Sequence, residues 1–431
     1  MIPFSMKINC AAGIPRFRHQ RLITKNRNLC PEAIDLKAVV LAAGEGTRLR
    51  PFTNSRPKVM IPVANRPILQ HVLEGLVKAG IKDVVLVVGY KKERIMSHFG
   101  DGKAIGANIQ YVVQDRQLGT AHALHVAKPA VDGDFLVIAG DNLIDVQTVQ
   151  DLLKNKGGNA VVVTSSDIPS KYGVVRTEGD QVISIVEKPS SKISNIISTG
   201  MYRFTPSIFK LIDEGISQGE STMTDILQRN LPKVPLQAVR TSGRWMDAVY
   251  PWDLIRLNAA AMDFQGQQLV GSAEKGAVLK GDVSVGTGTK IRSGCYIEGP
   301  VMIGEGCDIG PQVTIMPSTS IGDGVAIGPY SYIEESLIGD SVSLSSHSHL
   351  SHCVFDEGIT SGPGLQCPAE AAVTRVDQEF FNIKKIGALV GESSVIGAGV
   401  VIEPGCIVGA GCRISSHARV SGTLDNRSIV V

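Results

Sequence analysis

The sequence lacks the features of a membrane protein, a disulfide-stabilised protein or a nucleic-acid-binding protein. No apolar run approaches the roughly 18 residues that a transmembrane helix needs. The eight cysteines form no C-x-x-C pair, and so few in a long chain favour a reduced protein, so we expect a cytoplasmic location. A net charge of +2 over 431 residues gives no electrostatic reason to expect nucleic acid or a membrane surface as a partner.

Acidic residues are absent from residues 1–30, which contain six lysines and arginines. This basic segment also lacks the long apolar core of a secretory signal. Three interpretations stay open for residues 1–36: a targeting segment, a disordered tail, or an over-long start assignment. Of these we expect a tail without catalytic function, because the patterned sequence begins only near Leu36.

Two patterns divide the remaining chain, which is too long for one typical domain. Residues 37–262 alternate short apolar strands with helices, which predicts an α/β domain with a sheet covered on both faces. A helix is predicted from Arg66 to Ala79, capped by Asn65 and ended by Gly80. Strands are predicted at Ala38–Leu41, Val84–Val88, Ile109–Val113, Phe135–Ile138, Ala160–Val163 and Val182–Val186.

Residues 263–431 carry an aliphatic residue at every sixth position, from Leu279 to Ile333 and again from Val390 to Val420. A helix would need a period near 3.6, whereas hexapeptides with glycine after the aliphatic residue predict a parallel β-helix. The repeat is not visible near residues 339–386, where we expect an excursion from the coil. Four cysteines precede a repeat residue by two positions and are expected to pack inward: Cys295, Cys307, Cys406 and Cys412.

The segment from Leu41 to Lys58 reads LAAGEGTRLRPFTNSRPK and follows a predicted strand. A glycine-rich turn after a strand lets backbone N–H groups approach an anion. Arg48 and Lys58 add fixed positive charge, so the segment predicts a polyphosphate site. It is not a Walker loop, because no Gly-Lys-Ser/Thr follows. It is not the dinucleotide fingerprint either, because no glycine stands three residues after the second one.

The complete string resembles the signature of the sugar-1-phosphate nucleotidylyltransferases, G-x-G-T-R-L followed by a spaced lysine. The hexapeptide part resembles the left-handed β-helix of hexapeptide acyltransferases, which is also appended to many nucleotidylyltransferases. The resemblance implies a Rossmann-like nucleotidyltransferase domain followed by a left-handed parallel β-helix. It also implies a homo-oligomer formed through the β-helix, with a trimer favoured. The matching signature residues are Gly44, Gly46, Thr47, Arg48, Leu49 and Lys58.

The segment from Gln114 to His122 resembles the uracil-binding loop of uridylyltransferases, Q-x-x-Q-L-G-T-x-x-A. This resemblance favours UTP as the nucleotide, with dTTP as an alternative. An ordinary strand-to-helix turn capped by Thr120 is the other interpretation. The implied nucleotide-binding residues are Leu41, Ala43, Gly44, Gly46, Thr47, Gln114, Gly119 and Thr120.

Asp141 directly follows a buried predicted strand, and Asp247 ends the string GRWMD. One such aspartate alone would favour a cap or a turn. Two of them together with a cationic loop suit Mg²⁺, which takes one or two carboxylates plus substrate phosphates. The resemblance implies that both aspartates are Mg²⁺ ligands. It also implies that Arg48 holds the leaving pyrophosphate and that Lys58 stabilises charge at the α-phosphorus.

Three further segments resemble the sugar-contacting loops of the family. Ser198 stands where the uridylyltransferases often have asparagine before Thr-Gly. A surface ion pair at a strand end is the alternative interpretation of Glu187 and Lys188. The implied sugar-phosphate-binding residues are Gly173, Glu187, Lys188 and Thr199.

The string His349-Leu350-Ser351 resembles the H-L-S/T-Y motif of bifunctional uridylyltransferase/acetyltransferases, with His352 in place of the tyrosine. Three interpretations stay open for this stretch. One is a zinc site drawn from His347, His349, His352 and Cys353. The second is an acetyltransferase site that uses acetyl-CoA, with His349 as the base. The third is a structural excursion of the coil.

The implied reaction transfers a nucleotidyl group from a nucleoside triphosphate to glucose-1-phosphate or N-acetylglucosamine-1-phosphate and releases pyrophosphate. One alternative is a bifunctional enzyme that also acetylates glucosamine-1-phosphate. Another is a non-catalytic regulatory subunit of the same architecture. Such subunits often lose the loop cations or the metal aspartates, whereas Arg48, Lys58, Asp141 and Asp247 are all present here, which favours an enzyme.

Overall fold

A computed structural model of the chain describes residues 36–155, 158–263 and 269–431. The predicted basic tail, apart from Leu36, lies outside the described residues. Within them, an α/β domain leads into a parallel β-helix, which confirms the predicted fold class. None of the helices in these ranges has the length and apolar character needed to cross a membrane.

Nine strands form one mixed sheet in the α/β domain, in the order β3-β2-β1-β4-β8-β5-β9-β7-β6. Their ranges are β1 Lys37–Ala42, β2 Asp83–Val88, β3 Asn108–Val113, β4 Phe135–Ala139, β5 Ala160–Ser165, β6 Gly173–Glu178, β7 Gln181–Glu187, β8 Ile196–Phe204 and β9 Gln237–Arg240. Every predicted strand lies within an observed one. Strands β3, β2, β1 and β4 are parallel, so their carboxyl ends share one edge of the sheet.

Seven α-helices are present in the described ranges. They are α1 Ile68–Lys78, α2 Lys92–Phe99, α3 Thr120–Ala127, α4 Val146–Lys154, α5 Ile208–Ser217, α6 Met223–Asn230 and α7 Asp253–Met262. The side chain of Val39 packs with α3, α5 and α6, whereas its neighbours Ala38 and Val40 pack with α1, α2 and α4. Alternate residues of a strand face opposite sides, so helices cover both faces as predicted.

Helix α1 begins later than predicted, at Ile68, and Asn65 does not cap it. Asn65 has a φ of 58° and its side-chain amide donates to the carbonyl of Ile321 in the β-helix at 2.6 Å. Residues Arg66–Pro67 instead form a two-residue strand. A contact distant in sequence has replaced the local cap, so this part of the prediction was wrong.

The β-helix has three parallel sheets, of nine, eight and eight strands in the described ranges. The first contains Ser272–Ala273, Lys290–Ile291, Asp308–Ile309, Ala326–Ile327, Ser343–Leu344, Thr360–Ser361, Val395–Ile396, Arg413–Ile414 and Ile429–Val430. The second contains Val278–Lys280, Tyr296–Glu298, Thr314–Ile315, Tyr332–Glu334, His349–Ser351, Gln366–Cys367, Val401–Ile402 and Arg419–Val420. The third contains Val283–Val285, Val301–Ile303, Thr319–Ile321, Leu337–Ile338, Val354–Phe355, Leu389–Val390, Ile407–Val408 and Thr423–Leu424.

The predicted repeat residues line the interior of the coil, as do the four cysteines expected to pack inward. The excursion is shorter than expected, because the coil continues beyond Ile338. That residue follows Ile333 by five positions instead of six, and Phe355 follows Leu350 in the same way, yet both still pair with the neighbouring coils. Each missing residue shifts the phase of the repeat and hides it from a search with a fixed period. Between residues 269 and 431, which the structure describes without a gap, the hairpin Glu370–Val376 and Glu379–Ile386 is the one segment longer than a turn that leaves the coil.

Truncation of Phe355 tests the continued core. Phe355 is fully buried inside the coil, whereas Phe380 is 71% exposed on the hairpin. We expect Phe355→Ala to lower the free energy of unfolding by about 3–5 kcal/mol because it leaves a cavity. The matched variant Phe380→Ala should change it by less than about 0.5 kcal/mol. Urea denaturation of both variants measures the difference, and equal effects would contradict the coil position of Phe355.

The two domains share one apolar cluster. Helix α7 and the segment around Phe52 and Ile61 pack against residues on the outer side of the third sheet. Those β-helix residues are Leu337, Val354, Leu389 and Ile407. The side chain of Asn258 on α7 accepts a hydrogen bond from Ser320 Oγ at 2.7 Å. The loops that follow β1 are therefore held between the sheet and the β-helix.

Candidate active site

A cleft of about 620 Å³ opens at the carboxyl ends of the parallel strands. The loop after β1, the end of β3 and the loop after β4 form its walls, and Ala248 and Val249 close one side. Fourteen residues singled out from the sequence line this cleft: Leu41, Ala43, Gly44, Gly46, Thr47, Arg48, Leu49, Lys58, Gln114, Gly119, Thr120, Asp141, Lys188 and Asp247.

The glycine-rich turn packs tightly against the stem of Lys58. Gly46 has a φ of 76°, and a Cβ placed on it would lie 2.6 Å from Cβ of Lys58. Both the conformation and the space therefore require glycine. Thr47–Leu49 follows as a single 3₁₀ turn, and Leu49 N donates to the carbonyl of Gly46 at 2.9 Å. The aliphatic part of the Lys58 side chain therefore lies beside the turn that is predicted to hold phosphate.

Lys58 and Asp141 form an ion pair inside the cleft, with 2.5 Å between Nζ and Oδ2. Asp141 follows the end of β4, where Gly140 N donates to the carbonyl of Leu41 at 2.8 Å. This bond joins the ends of β1 and β4. Two predicted catalytic residues, 83 positions apart, are therefore in direct contact.

Asp247 reaches the same place on a two-stranded ribbon, Trp245–Asp247 paired with Asn142–Ile144. Its Oδ1 accepts a hydrogen bond from the Tyr172 hydroxyl at 2.8 Å. Burial raises the pKa of Asp247, the Lys58 ammonium and the Tyr172 hydrogen bond oppose this shift, and the Asp141 carboxylate adds to it. Two neighbouring carboxylates, one of them costly to ionise, thus face the cleft.

This donor set fits Mg²⁺, a hard cation that prefers oxygen ligands. In the three described ranges, no group of three or more His, Cys, Asp or Glu side chains could hold a metal by itself. Two carboxylates would therefore leave the other ligands of Mg²⁺ to come from water and substrate phosphates. The histidines considered for zinc have other contacts. His347 stacks on Tyr330, and His352 pairs with Glu335 at 2.8 Å.

Gln114 is buried at the end of β3, and its amide nitrogen donates to the carbonyl of Gly119 at 3.2 Å. Gly119 has a φ of 92°, and a Cβ there would collide with the carbonyl of Ser221. Thr120 is the first residue of α3 rather than its cap, and its Oγ1 accepts from Met223 N at 3.1 Å. These contacts hold the amide of Gln114 rigidly beside the cleft.

The predicted sugar residues occupy different positions. Lys188 lines the cleft, 3.4 Å from Oε1 of Glu187. Behind it, a Cβ on Gly173 would lie 3.4 Å from Oε2 of Glu187. Thr199 is buried within the sheet and donates to the carbonyl of Val162 at 2.9 Å, so its side chain does not line the cleft. Its position on β8, between β4 and β5, explains this difference from the prediction.

Two polar residues that line the cleft, Gln117 and Lys171, were not singled out. The side-chain amide of Gln117 donates to the carbonyl of Ala43 at 3.0 Å and so joins the two nucleotide loops. Lys171 lies 4.4 Å from the ring centre of Tyr250, and burial lowers the pKa of its ammonium. Gln117 belongs to the motif that identified Gln114 and could have been included. Lys171 stands directly before Tyr172-Gly173-Val174, one of the three segments that resemble sugar-contacting loops, and carried no separate signal.

His349 lies on the outer side of the second sheet and is half-buried. Its ring stacks on Tyr332 with 5.2 Å between ring centres and 9° between planes. The two residues are paired between successive coils. The structure thus places His349 against Tyr332, and its role as an acetyltransferase base stays a prediction.

Comparison with known proteins assigns both parts of the chain. Residues 37–263 match the model of the nucleotidyl transferase family. Residues 274–368 match the GMPPB C-terminal domain, and residues 387–422 match the bacterial transferase hexapeptide repeats.

Among similar proteins, the bifunctional protein GlmU of Methanococcus maripaludis is 34% identical over 262 residues, covering 60% of this chain and 62% of that protein. The glucose-1-phosphate thymidylyltransferase of Streptomyces antibioticus is 33% identical over 266 residues, covering 59% and 74%. The chain thus spans about three fifths of the length of the GlmU relatives it matches. Because the first model covers more than half of the sequence, the chain belongs to the nucleotidyl transferase family.

Proposed function

We propose that the protein transfers a nucleotidyl group from a nucleoside triphosphate to a sugar-1-phosphate and releases pyrophosphate. The convergence of Lys58, Asp141 and Asp247 in one cleft beside the glycine-rich turn is the observation that carries this proposal. A phosphate oxygen of the sugar attacks the α-phosphorus in line with the departing pyrophosphate. No covalent nucleophile is needed, so catalysis comes from alignment and charge neutralisation.

Each charged residue has a part in this reaction. Arg48 and the turn hold the pyrophosphate as it leaves, and the ammonium of Lys58 neutralises charge growing at the α-phosphorus. Lys188, which also lines the cleft, meets the phosphate of the sugar. Asp141 and Asp247 would hold Mg²⁺, which when bound neutralises phosphate oxygens.

UTP is the proposed nucleotide, with dTTP as an alternative, and glucose-1-phosphate or N-acetylglucosamine-1-phosphate is the proposed acceptor. The rigidly held Gln114 supports recognition of a pyrimidine edge. The similarity to the glucose-1-phosphate thymidylyltransferase of Streptomyces antibioticus supports glucose-1-phosphate and dTTP. The proposed assembly is a homotrimer formed through the β-helix, which light scattering would measure.

Pyrophosphate release with Mg²⁺ tests the reaction. UTP, dTTP, CTP and GTP are each combined with glucose-1-phosphate and with N-acetylglucosamine-1-phosphate. We expect turnover with one pyrimidine nucleotide and one sugar, lost in Asp141→Ala because the cleft then lacks one of its two facing carboxylates. Silence across the panel would overturn the proposal and favour a regulatory subunit.

A further inference from the structure

Arg56 is a buried cation next to the active site that does not face it. It is 7% exposed and stands two residues before Lys58. It does not line the catalytic cleft, and lines instead a cavity of about 560 Å³ between the domains. Its guanidinium must therefore have a role other than direct contact with phosphate.

The partners of Arg56 are three carboxylates of the β-helix. Its Nη2 lies 2.9 Å from Asp356 Oδ1, 2.8 Å from Glu357 Oε2 and 4.0 Å from Glu392 Oε2. These contacts are ion pairs without the alignment of hydrogen bonds. The carboxylates follow two neighbouring strands of the third sheet, where Phe355 pairs with Val390. We name Asp356, Glu357 and Glu392 the acidic corner.

The acidic corner needs a cation. Asp356 is 5% exposed, and burial raises its pKa to about 6, although the Arg56 cation opposes the shift. Removing one partner from a buried ion pair leaves a charge without compensation, which is strongly destabilising. The ion pairs of Arg56 thus hold its segment against the β-helix, and breaking them would lower the stability of the protein.

Two more contacts hold the same segment, residues 51–56, against the β-helix. A Cβ on Gly391 would lie 2.9 Å from Cβ of Pro51. The side-chain amide of Asn54 donates to Asn426 Oδ1 at 3.1 Å. On its other side, Thr53 Oγ1 donates to the carbonyl of Gly46 at 3.1 Å. A chain of contacts therefore runs from the β-helix through residues 51–56 to the phosphate turn.

We propose that Arg56 is a positioning residue that, paired with the acidic corner, fixes the phosphate turn and Lys58 for the transfer reaction. This inference rests on the proposed function. The β-helix then serves as part of the frame of the active site. A charge that stabilises a transition state must be placed accurately, since a displacement of about 1 Å can cost about 100-fold in rate.

Steady-state kinetics and hydrogen exchange together test the proposal in the full-length protein. We expect Arg56→Met to lower kcat by about 10- to 100-fold while KM for the sugar phosphate changes little. Arg56→Lys keeps the charge and should recover part of the loss. Asp356 lies in the β-helix, outside the cleft. Asp356→Asn should also lower kcat, by a smaller factor than Arg56→Met.

The control variant is Asn65→Ala, which removes a different contact between the domains, the hydrogen bond from Asn65 to the carbonyl of Ile321. It should leave kcat unchanged. Amide exchange of residues 46–58, measured without substrate, should rise in Arg56→Met and Asp356→Asn and stay unchanged in Asn65→Ala. This readout needs no turnover, so it tests the positioning role even if the proposed reaction fails.

A lower melting temperature in Arg56→Met with unchanged kcat and unchanged exchange of residues 46–58 would show a merely structural ion pair and overturn the proposal. Equal losses of kcat in Arg56→Met and Asn65→Ala would overturn it as well. If Arg56→Met does not fold, Arg56→Lys and Asp356→Asn carry the same comparison.

Discussion

Replacement of Lys58 by methionine is expected to lower kcat/KM by about 100- to 1,000-fold. Methionine keeps the length of the stem that packs against Gly46 and removes only the ammonium. The loss follows from the position of that ammonium, 2.5 Å from Asp141 on the wall of the cleft. Removing one preorganised charge that stabilises a transition state costs about 3–4 kcal/mol. Initial rates of pyrophosphate release measure it.

Lys210→Met, on the exposed side of α5, is the matched control and should leave kcat/KM unchanged. The pair can be examined further with Asp141→Asn. Because Lys58 and Asp141 are in contact, the double variant should lose much less than the product of the two single losses. A fully multiplicative loss would show that the two side chains act independently, contrary to their geometry. A small loss in Lys58→Met alone would contradict its catalytic role.

Asp247→Asn should be similarly damaging, with a loss of about 100-fold or more and a higher Mg²⁺ concentration for half-maximal activity. Asparagine has the same shape and can still accept the Tyr172 hydrogen bond, so the change removes little except charge. One of the two carboxylates that suit Mg²⁺ is then absent. Titration of Mg²⁺ under saturating substrate measures both effects.

Tyr172→Phe tests the orientation of Asp247 apart from its charge, because it removes only the hydroxyl that donates to the Asp247 carboxylate. We expect a loss of about 10-fold, smaller than in Asp247→Asn because the carboxylate remains, and a correspondingly smaller change in Mg²⁺ dependence. An Asp247→Asn variant with the Mg²⁺ dependence of the unchanged protein would contradict the metal-binding role of Asp247.

Much of the fold follows from local patterns in the sequence. Apolar strands alternating with helices predicted the α/β sheet, and the period of six predicted the coil interior from Leu279 to Ile333. The phase was lost after Ile333 because a coil segment with five residues still places Ile338 inward, and a second such segment places Phe355 inward. A search for a repeat depends on equal spacing in the sequence. The coil tolerates segments of different length as long as their inward side chains stack on those of the neighbouring coils.

The residues that local reasoning misplaced or missed have distant partners. The amide of Asn65 bonds to a residue 256 positions away, and Thr199 is buried by strands on both sides. Arg56 stands inside the motif that identified Lys58, yet its three partners lie in the other domain. The motifs thus predicted most of the residues that face the cleft, but not the contacts with distant residues that hold the surrounding segments in place.

The sulfur atoms inside the coil have a practical consequence. Six cysteines of the described β-helix are buried thiols: Cys295, Cys307, Cys353, Cys367, Cys406 and Cys412. Burial raises the pKa of Cys295 and Cys307, and that of Cys406 to about 12, so these thiols resist alkylation while the coil is closed. Along the sequence, Cys295 and Cys307 lie near the beginning of the coil, Cys353 and Cys367 near its middle, and Cys406 and Cys412 near its end. Alkylation during partial unfolding, followed by peptide mapping, would therefore show which cysteines react first and so which end of the coil opens first.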